Sequence, residues 1–264
     1  MAQIAGFRGL LFDSERVNMS KVLAPPYDVI DKNGRDQLVH SDVHNCVQII
    51  LPESEGDTNK YEHARDLMKE WSDEGVLKRD AEPAMYRYHQ VYTHSELGEE
   101  PVTRRGFIAA VRLHDFEEGV LLRHERTLKG PKVDRLNLWE TTHAHLSQIF
   151  TLYSDPKALV DEHFSEVERS KPDIDGTTGD GTRHLLWRVT EPAVLSAVRE
   201  LLADKSLYIA DGHHRYETML AFRDRLLSDH PETDDRSAAR FGMMFLANLD
   251  DPGLVVLPTH RLIH

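Results

Sequence analysis

Cysteine is almost missing from this chain: Cys46 stands alone among 264 residues. An internal disulfide and a multi-cysteine zinc site are therefore both excluded. Long apolar runs are missing too. No window approaches the roughly eighteen apolar residues that a membrane-spanning helix requires, and the start Met1-Ala2-Gln3-Ile4-Ala5-Gly6-Phe7-Arg8 lacks the charged-then-apolar layout of a secretion signal. A cytoplasmic location and no membrane partner are the expectation. Positive charge is in short supply, with 32 Lys and Arg against 45 Asp and Glu and a formal net charge of −13. Such a field repels DNA and RNA, and no basic stripe offsets it, so no nucleic-acid partner is expected. A serine nucleophile elbow, a dinucleotide fingerprint and a Walker loop are all absent, which removes the common hydrolase, dehydrogenase and P-loop readings.

What is present alternates between strand-like and helix-like segments, the pattern of an α/β (mixed α+β) chain with a mixed sheet and flanking helices. Residues 58–71 carry Tyr61, Ala64, Leu67, Met68 and Trp71 at helical spacing before Gly75. Residues 84–92 and 102–113 predict an antiparallel hairpin, and Val120-Leu121-Leu122 a strand that delivers Arg123, His124 and Glu125 to its C-terminal end. Helices are predicted over 133–145, over 156–167 with Pro156 in the first turn, and over 191–202. Residues 149–153 and 184–187 read as strands, and the glycine-rich stretch 173–182 as a turn between sheet elements. A last hairpin is expected from 243–249, through Asp250-Asp251-Pro252-Gly253, to a strand at 254–257. A weak boundary at Pro83 divides an N-terminal helical and extended region, 1–83, from a sheet-rich region, 84–264, unless the two form one continuous domain.

The most informative run is Asp211-Gly212-His213-His214-Arg215. It follows the strand-like Leu207-Tyr208-Ile209-Ala210 and opens a helical stretch, 216–227. A strand that turns through glycine into a helix N-terminus presents unpaired amides and the positive end of the helix dipole, a natural anion pocket. Gly212 can take positive φ and admit a ligand to the backbone, while Arg215 offers a planar fork for two phosphate oxygens. The plainer alternative has Asp211 capping the helix and the histidines decorating its first turn. Cationic side chains oppose the dipole there, so a bound anion explains them better. Phosphoryl transfer to a hydroxyl needs a phosphate anchor, charge neutralisation and a carboxylate to accept the proton. Asp211 to Arg215 anchor, Arg123, Arg126 and Arg215 neutralise, and Glu125 at a strand exit is the candidate base. Asp211 either holds a magnesium ion bridging the phosphates or orients a histidine.

The segment Asp-Gly-His-His-Arg resembles the phosphate loop of the ParB/sulfiredoxin superfamily, which includes an archaeal free-serine kinase that uses ADP as donor. Four blocks, Ala24-Pro25-Pro26-Tyr27-Asp28-Val29-Ile30, Arg123-His124-Glu125-Arg126-Thr127, Tyr208 through Thr218, and Leu257-Pro258-Thr259-His260-Arg261, are similar in order to the domain of unknown function 1015 family. The resemblance implies a ParB/sulfiredoxin-like phosphate-site subdomain in which His214 and Arg215 contact phosphate. His213, Gly212 and Arg123 complete the binding set, and Glu125, His124 and Asp211 are catalytic. The implied cofactor is ATP or ADP with magnesium. The implied partner is a small phosphorylated molecule, and the reaction phosphoryl transfer to or from a serine-like or phosphoserine-like hydroxyl compound. The other reading is a non-catalytic module that binds a nucleotide or phosphometabolite. Members of the resembled family usually continue well beyond the fourth block, so the chain is expected to be either cut short at its C-terminus or an unusually short member.

Other constellations are weaker. Among sixteen histidines, His40 and His44 with Cys46 are spaced to share a helical face, and His143 and His145 are two apart. No His-Glu-x-x-His occurs, because Leu128 stands where the second histidine is needed, and no dedicated transition-metal centre is expected. The rigid Ala24-Pro25-Pro26 segment either sets Tyr27 and Asp28 at a pocket rim or serves as a brace. Thr259-His260-Arg261 either joins the phosphate cluster or forms a surface turn. Nothing in the sequence sets an oligomeric state.

Overall fold

A computed structural model of the chain describes residues 1–94, 98–125 and 130–256. Its framework is a nine-stranded mixed sheet. Strands β4 (Met85–His94) and β5 (Gly98–Arg112) form the expected hairpin, longer than the β-branched and aromatic run suggested. The remaining strands are β1 (Ile4–Ala5), β6 (Leu121–Leu122), β7 (Ile149–Tyr153), β8 (Ile174–Thr177), β9 (Arg183–Val189), β10 (Leu207–Asp211) and β11 (Phe241–Asn248). The order across the sheet is β6-β10-β7-β11-β5-β4-β9-β8, with β1 paired to β5. A separate two-stranded ribbon joins β2 (Leu10–Phe12) to β3 (Leu77–Arg79).

Alternation along the strands gives the sheet two different faces. Met85, Phe107, Ala109, Ile149, Ile209, Met244 and Leu246 point to one side, where α6 (Leu159–Phe164), α7 (Pro192–Leu202) and α8 (His213–Asp229) cover them with Val160, Phe164, Val198, Leu202, Tyr216 and Met219. Tyr86, Ile108, Phe245 and Ala247 point to the other, where Phe7, Leu11, Tyr88, Phe150 and Leu152 join them. Of the N-terminal helices α1 (Met19–Val22), α2 (Lys32–Ser41), α3 (Val47–Ile50) and α4 (Lys60–Asp73), the last two build a smaller core around Ile49, Ala64, Trp71, Val76 and Leu77. Leu138 of α5 (Gly130–Thr142) completes it.

Several expectations are corrected. The helix predicted over 156–167 is confined to α6, because Ala158 takes a left-handed backbone (φ 51°) and the Asp155 carboxylate accepts the Val160 amide, delaying the start past Pro156. A 3-10 turn at Val167–Arg169 follows it. The stretch 173–182 is partly strand: β8 pairs with β9, and only the residues between them turn. The helix predicted from Tyr216 begins three residues earlier, at His213. Residues 254–256 do not form a strand. The reason is topological, since β11 is already flanked by β5 and β7 and has no free edge for a hairpin partner. Residues 257–264, including Thr259, His260 and Arg261, lie outside the described residues, as do Arg126 and Thr127. Among the described residues no helix is long and apolar enough to cross a membrane.

Candidate functional site

Parallel pairing of β6 with β10 decides which predicted residues meet. Leu121 stands opposite Leu207 and Leu122 opposite Tyr208, so both strands leave the sheet on the same side. Arg123, His124 and Glu125 therefore emerge beside Asp211 and Gly212. The ladder is irregular between Ile209 and Asp211, where β10 leaves its partner β7. Gly212 then takes φ 93°, a left-handed conformation that glycine adopts without steric cost, and α8 begins. No side chain caps this helix, so the amides of its first turn are unmet by a side-chain acceptor. The alternative in which Asp211 caps the helix does not occur.

The two histidines divide as helical geometry requires. His213 is only 4% exposed, and its ring meets that of His124 edge-on with centroids 4.5 Å apart. The His124 amide donates to His213 Nε2 over a long 3.5 Å. Nδ1 lies 3.9 Å from the Glu125 carboxylate. Burial, with the neighbouring His124, lowers the His213 pKa, while Glu125, Asp211 and Glu217 oppose the shift. His213 thus touches both His124 and Glu125 at the exit of β6. His214 is half-buried on another side of the turn, and its carbonyl accepts from Thr218. Glu125 and His124 are exposed, at 59% and 60%, with their nearest polar atoms 4.0 Å apart. Arg123 donates to Glu217 at 3.3 Å and lies 4.3 Å from the Phe116 ring centroid.

Arg215 folds back over its own helix terminus. Its guanidinium donates to the Asp211 carboxylate and the Gln148 carbonyl, and a Cβ placed on Gly212 would meet it at 3.0 Å. The arginine is 13% exposed and its acidic partner 62%. Gly212→Ala combines an unfavourable φ with this contact, and is expected to cost about 1–2 kcal/mol and displace the guanidinium, as a lowered midpoint in urea melts would show.

Sequence reasoning missed several neighbours. Glu217 follows His213 by four positions, so helical spacing alone puts them on one face. For Tyr27 the sequence allows either a pocket rim or a brace. It forms part of a 3-10 turn, Tyr27–Val29, with the Arg135 guanidinium 4.3 Å from its ring centroid. Burial raises its phenol pKa, and its neighbour Arg135 shares a cleft lining with Arg215 of α8. A narrow cleft between α5 and α8 is lined by Arg135, Trp139, His145, Arg215, Thr218 and Met219. His145 sits 4.2 Å from the Trp139 ring with an enclosed, unpartnered Nδ1, and burial lowers its pKa to about 4. The stability this neutral form contributes is present above the ordinary value of 6.5 and is lost as pH falls toward 4. His145→Phe should flatten that part of the stability–pH curve.

The remaining histidine clusters do not form. Helix α2 ends at Ser41, so His40 bonds the Asp36 carbonyl, His44 lies between Asp42 and Glu74, and burial pushes the Cys46 thiol up to about 11. His143 and His145 follow α5 in irregular backbone, neither helix nor strand. Among the described residues no group of three or more His, Cys, Asp or Glu is placed to hold a metal ion.

Residues 4–264 match the family described as Protein of unknown function (DUF1015), and the chain belongs to it. No curated protein and no solved structure matched the chain.

Proposed function

We propose that the junction of β6, β10 and α8 binds the phosphates of a nucleotide and transfers a phosphoryl group to or from a small hydroxyl metabolite. The observation that carries this reading is the convergence of His124 and Glu125 on His213 at an uncapped helix N-terminus. The resemblance of Asp211 to Arg215 to a ParB/sulfiredoxin-like phosphate loop supports it. Three backbone amides, the helix dipole and a guanidinium suit a dianionic group. Arg215 now rests on Asp211, and a phosphate would take over the guanidinium as the stronger bidentate acceptor.

The donor set also fits magnesium brought in by a nucleotide, which needs only one or two carboxylates besides phosphate and water. Asp211, exposed at the end of β10, is the carboxylate that would hold it. The ion would supply charge neutralisation between the phosphates. Glu125, 3.9 Å from His213 Nδ1, would accept the hydroxyl proton, and His213 would orient it. Arg123 is the remaining cation at the rim.

Incubation with ATP or ADP, magnesium and serine, monitored for phosphoserine, tests the reaction. Product that disappears in Glu125→Gln is the expected outcome. Nucleotide binding without turnover for any hydroxyl acceptor would instead favour a binding module.

A further inference from the structure

Arg104 of β5 is a half-buried cation with no ion pair among the described residues. Its Nη1 donates to the neutral amide oxygen of Gln90 at 3.2 Å, and its Nε is fully enclosed without an acceptor. The guanidinium lies 5.2 Å from the Tyr92 ring centroid and 5.6 Å from that of Phe150. The Tyr92 hydroxyl is also enclosed and unpartnered. Arg87, on the opposite face of the same hairpin, shows the contrast: two carboxylates hold it at 2.7 Å each.

Burying a cation without a counter-charge costs free energy, and so does an enclosed donor left unmet. Arg104 bears both costs on the face of the sheet opposite α6, α7 and α8. Around it lies an aromatic floor. Phe150 stacks on Phe245 at 5.2 Å, and Tyr88 meets Phe245 edge-on at 5.3 Å. Phe150 also stands opposite Asp211 in the ladder between β7 and β10.

We propose that the Arg104 guanidinium, with Tyr92 and Gln90, is an anion subsite that takes the carboxylate or phosphate group of a small ligand. The anion supplies the counter-charge that no described residue provides, and the Tyr92 hydroxyl and the Arg104 fork supply donors. Because Phe150 links this subsite to Asp211, a ligand with two anionic groups, one at each site, is the natural occupant. That last step rests on the phosphate reading of residues 211–215, whereas the Arg104 subsite does not.

Calorimetric titration of the full chain with inorganic phosphate and, separately, with succinate distinguishes the two anion classes. The parent is expected to bind at least one of them. Arg104→Met should bind that anion at least about tenfold more weakly, yet melt at or above the parent temperature in anion-free buffer, since an uncompensated buried charge is gone. Arg215→Ala should keep this component. If Arg104→Met does not fold by circular dichroism, Arg104→Lys replaces it and should melt like the parent while binding more weakly. An isotherm unchanged by the Arg104 substitution, or a parent that binds neither anion, overturns the subsite. Loss in Arg215→Ala alone would overturn it while leaving the phosphate reading intact.

Discussion

Replacing Arg87 with methionine is expected to destabilise the fold by about 3–5 kcal/mol, the largest stability effect of any single substitution considered. Arg87 is 1% exposed on β4, and its guanidinium bonds Asp161 of α6 and Glu168 of the following turn, each at 2.7 Å, and the Gly106 carbonyl at 3.3 Å. Its flat face covers the Phe164 ring at 5.2 Å. His89, two residues along the same strand, reaches Glu168 at 3.1 Å. Methionine would preserve most of the stem packing, leave Asp161 without the guanidinium and leave Glu168 with only His89. Burial alone would raise the Glu168 carboxyl, but His89 and Arg87 overcome it and bring it down to about 2. A depressed acid contributes stability that is fully present above its ordinary value of 4.5 and is lost as pH falls through 2. Urea melts of the parent should therefore weaken across that window. Arg87→Met should show a lower midpoint with an unchanged slope and a shallower acid limb. A midpoint within error of the parent would show that the network contributes nothing.

The second large effect concerns chemistry. Glu125→Gln is expected to reduce phosphoryl transfer by about 10²–10⁴-fold without changing the melting temperature. The carboxylate is 59% exposed, so the fold does not depend on it, and glutamine keeps its shape while losing its ability to accept a proton. Arg215→Ala should behave differently, weakening nucleotide binding before it affects turnover at saturation. Its guanidinium also ties Gln148 to the α8 terminus, so a modest loss of stability should accompany that change. Parent-like turnover in Glu125→Gln would remove the base assignment. Parent-like binding in Arg215→Ala would remove the anchor.

Much of the architecture was legible because local patterns and tertiary structure agree. The hairpin β4–β5, the strand β7, the helices α4 and α7 and the β10–Gly212–α8 junction all follow from alternation, apolar spacing and a glycine at a turn. The failures share a cause. The expected strand after Gly253 had a plausible sequence, but only the sheet order reveals that β11 has neighbours on both sides. The shortened α6 depends on a side-chain-to-amide bond from Asp155 that propensity does not encode.

The candidate site divides in the same way. Gly212, His213 and Arg215 could be placed at a helix terminus from the run itself, and Glu125 at a strand exit. Their proximity required the parallel pairing of β6 with β10, two elements joined through a long stretch of chain. The identity of the inward-facing histidine followed only from the structure, where His213 turns to His124 and Glu125. Arg104 carried no motif, and its lack of a counter-charge among the described residues is visible only once its surroundings are known.

A crystal structure of the parent grown with a nonhydrolysable nucleotide and magnesium tests the central claim most directly. The account predicts a phosphate on the amides of residues 213–215, with the Arg215 guanidinium turned from the Asp211 carboxylate onto its oxygens. Nucleotide bound elsewhere, with Arg215 still resting on Asp211 and the Gln148 carbonyl, would contradict it.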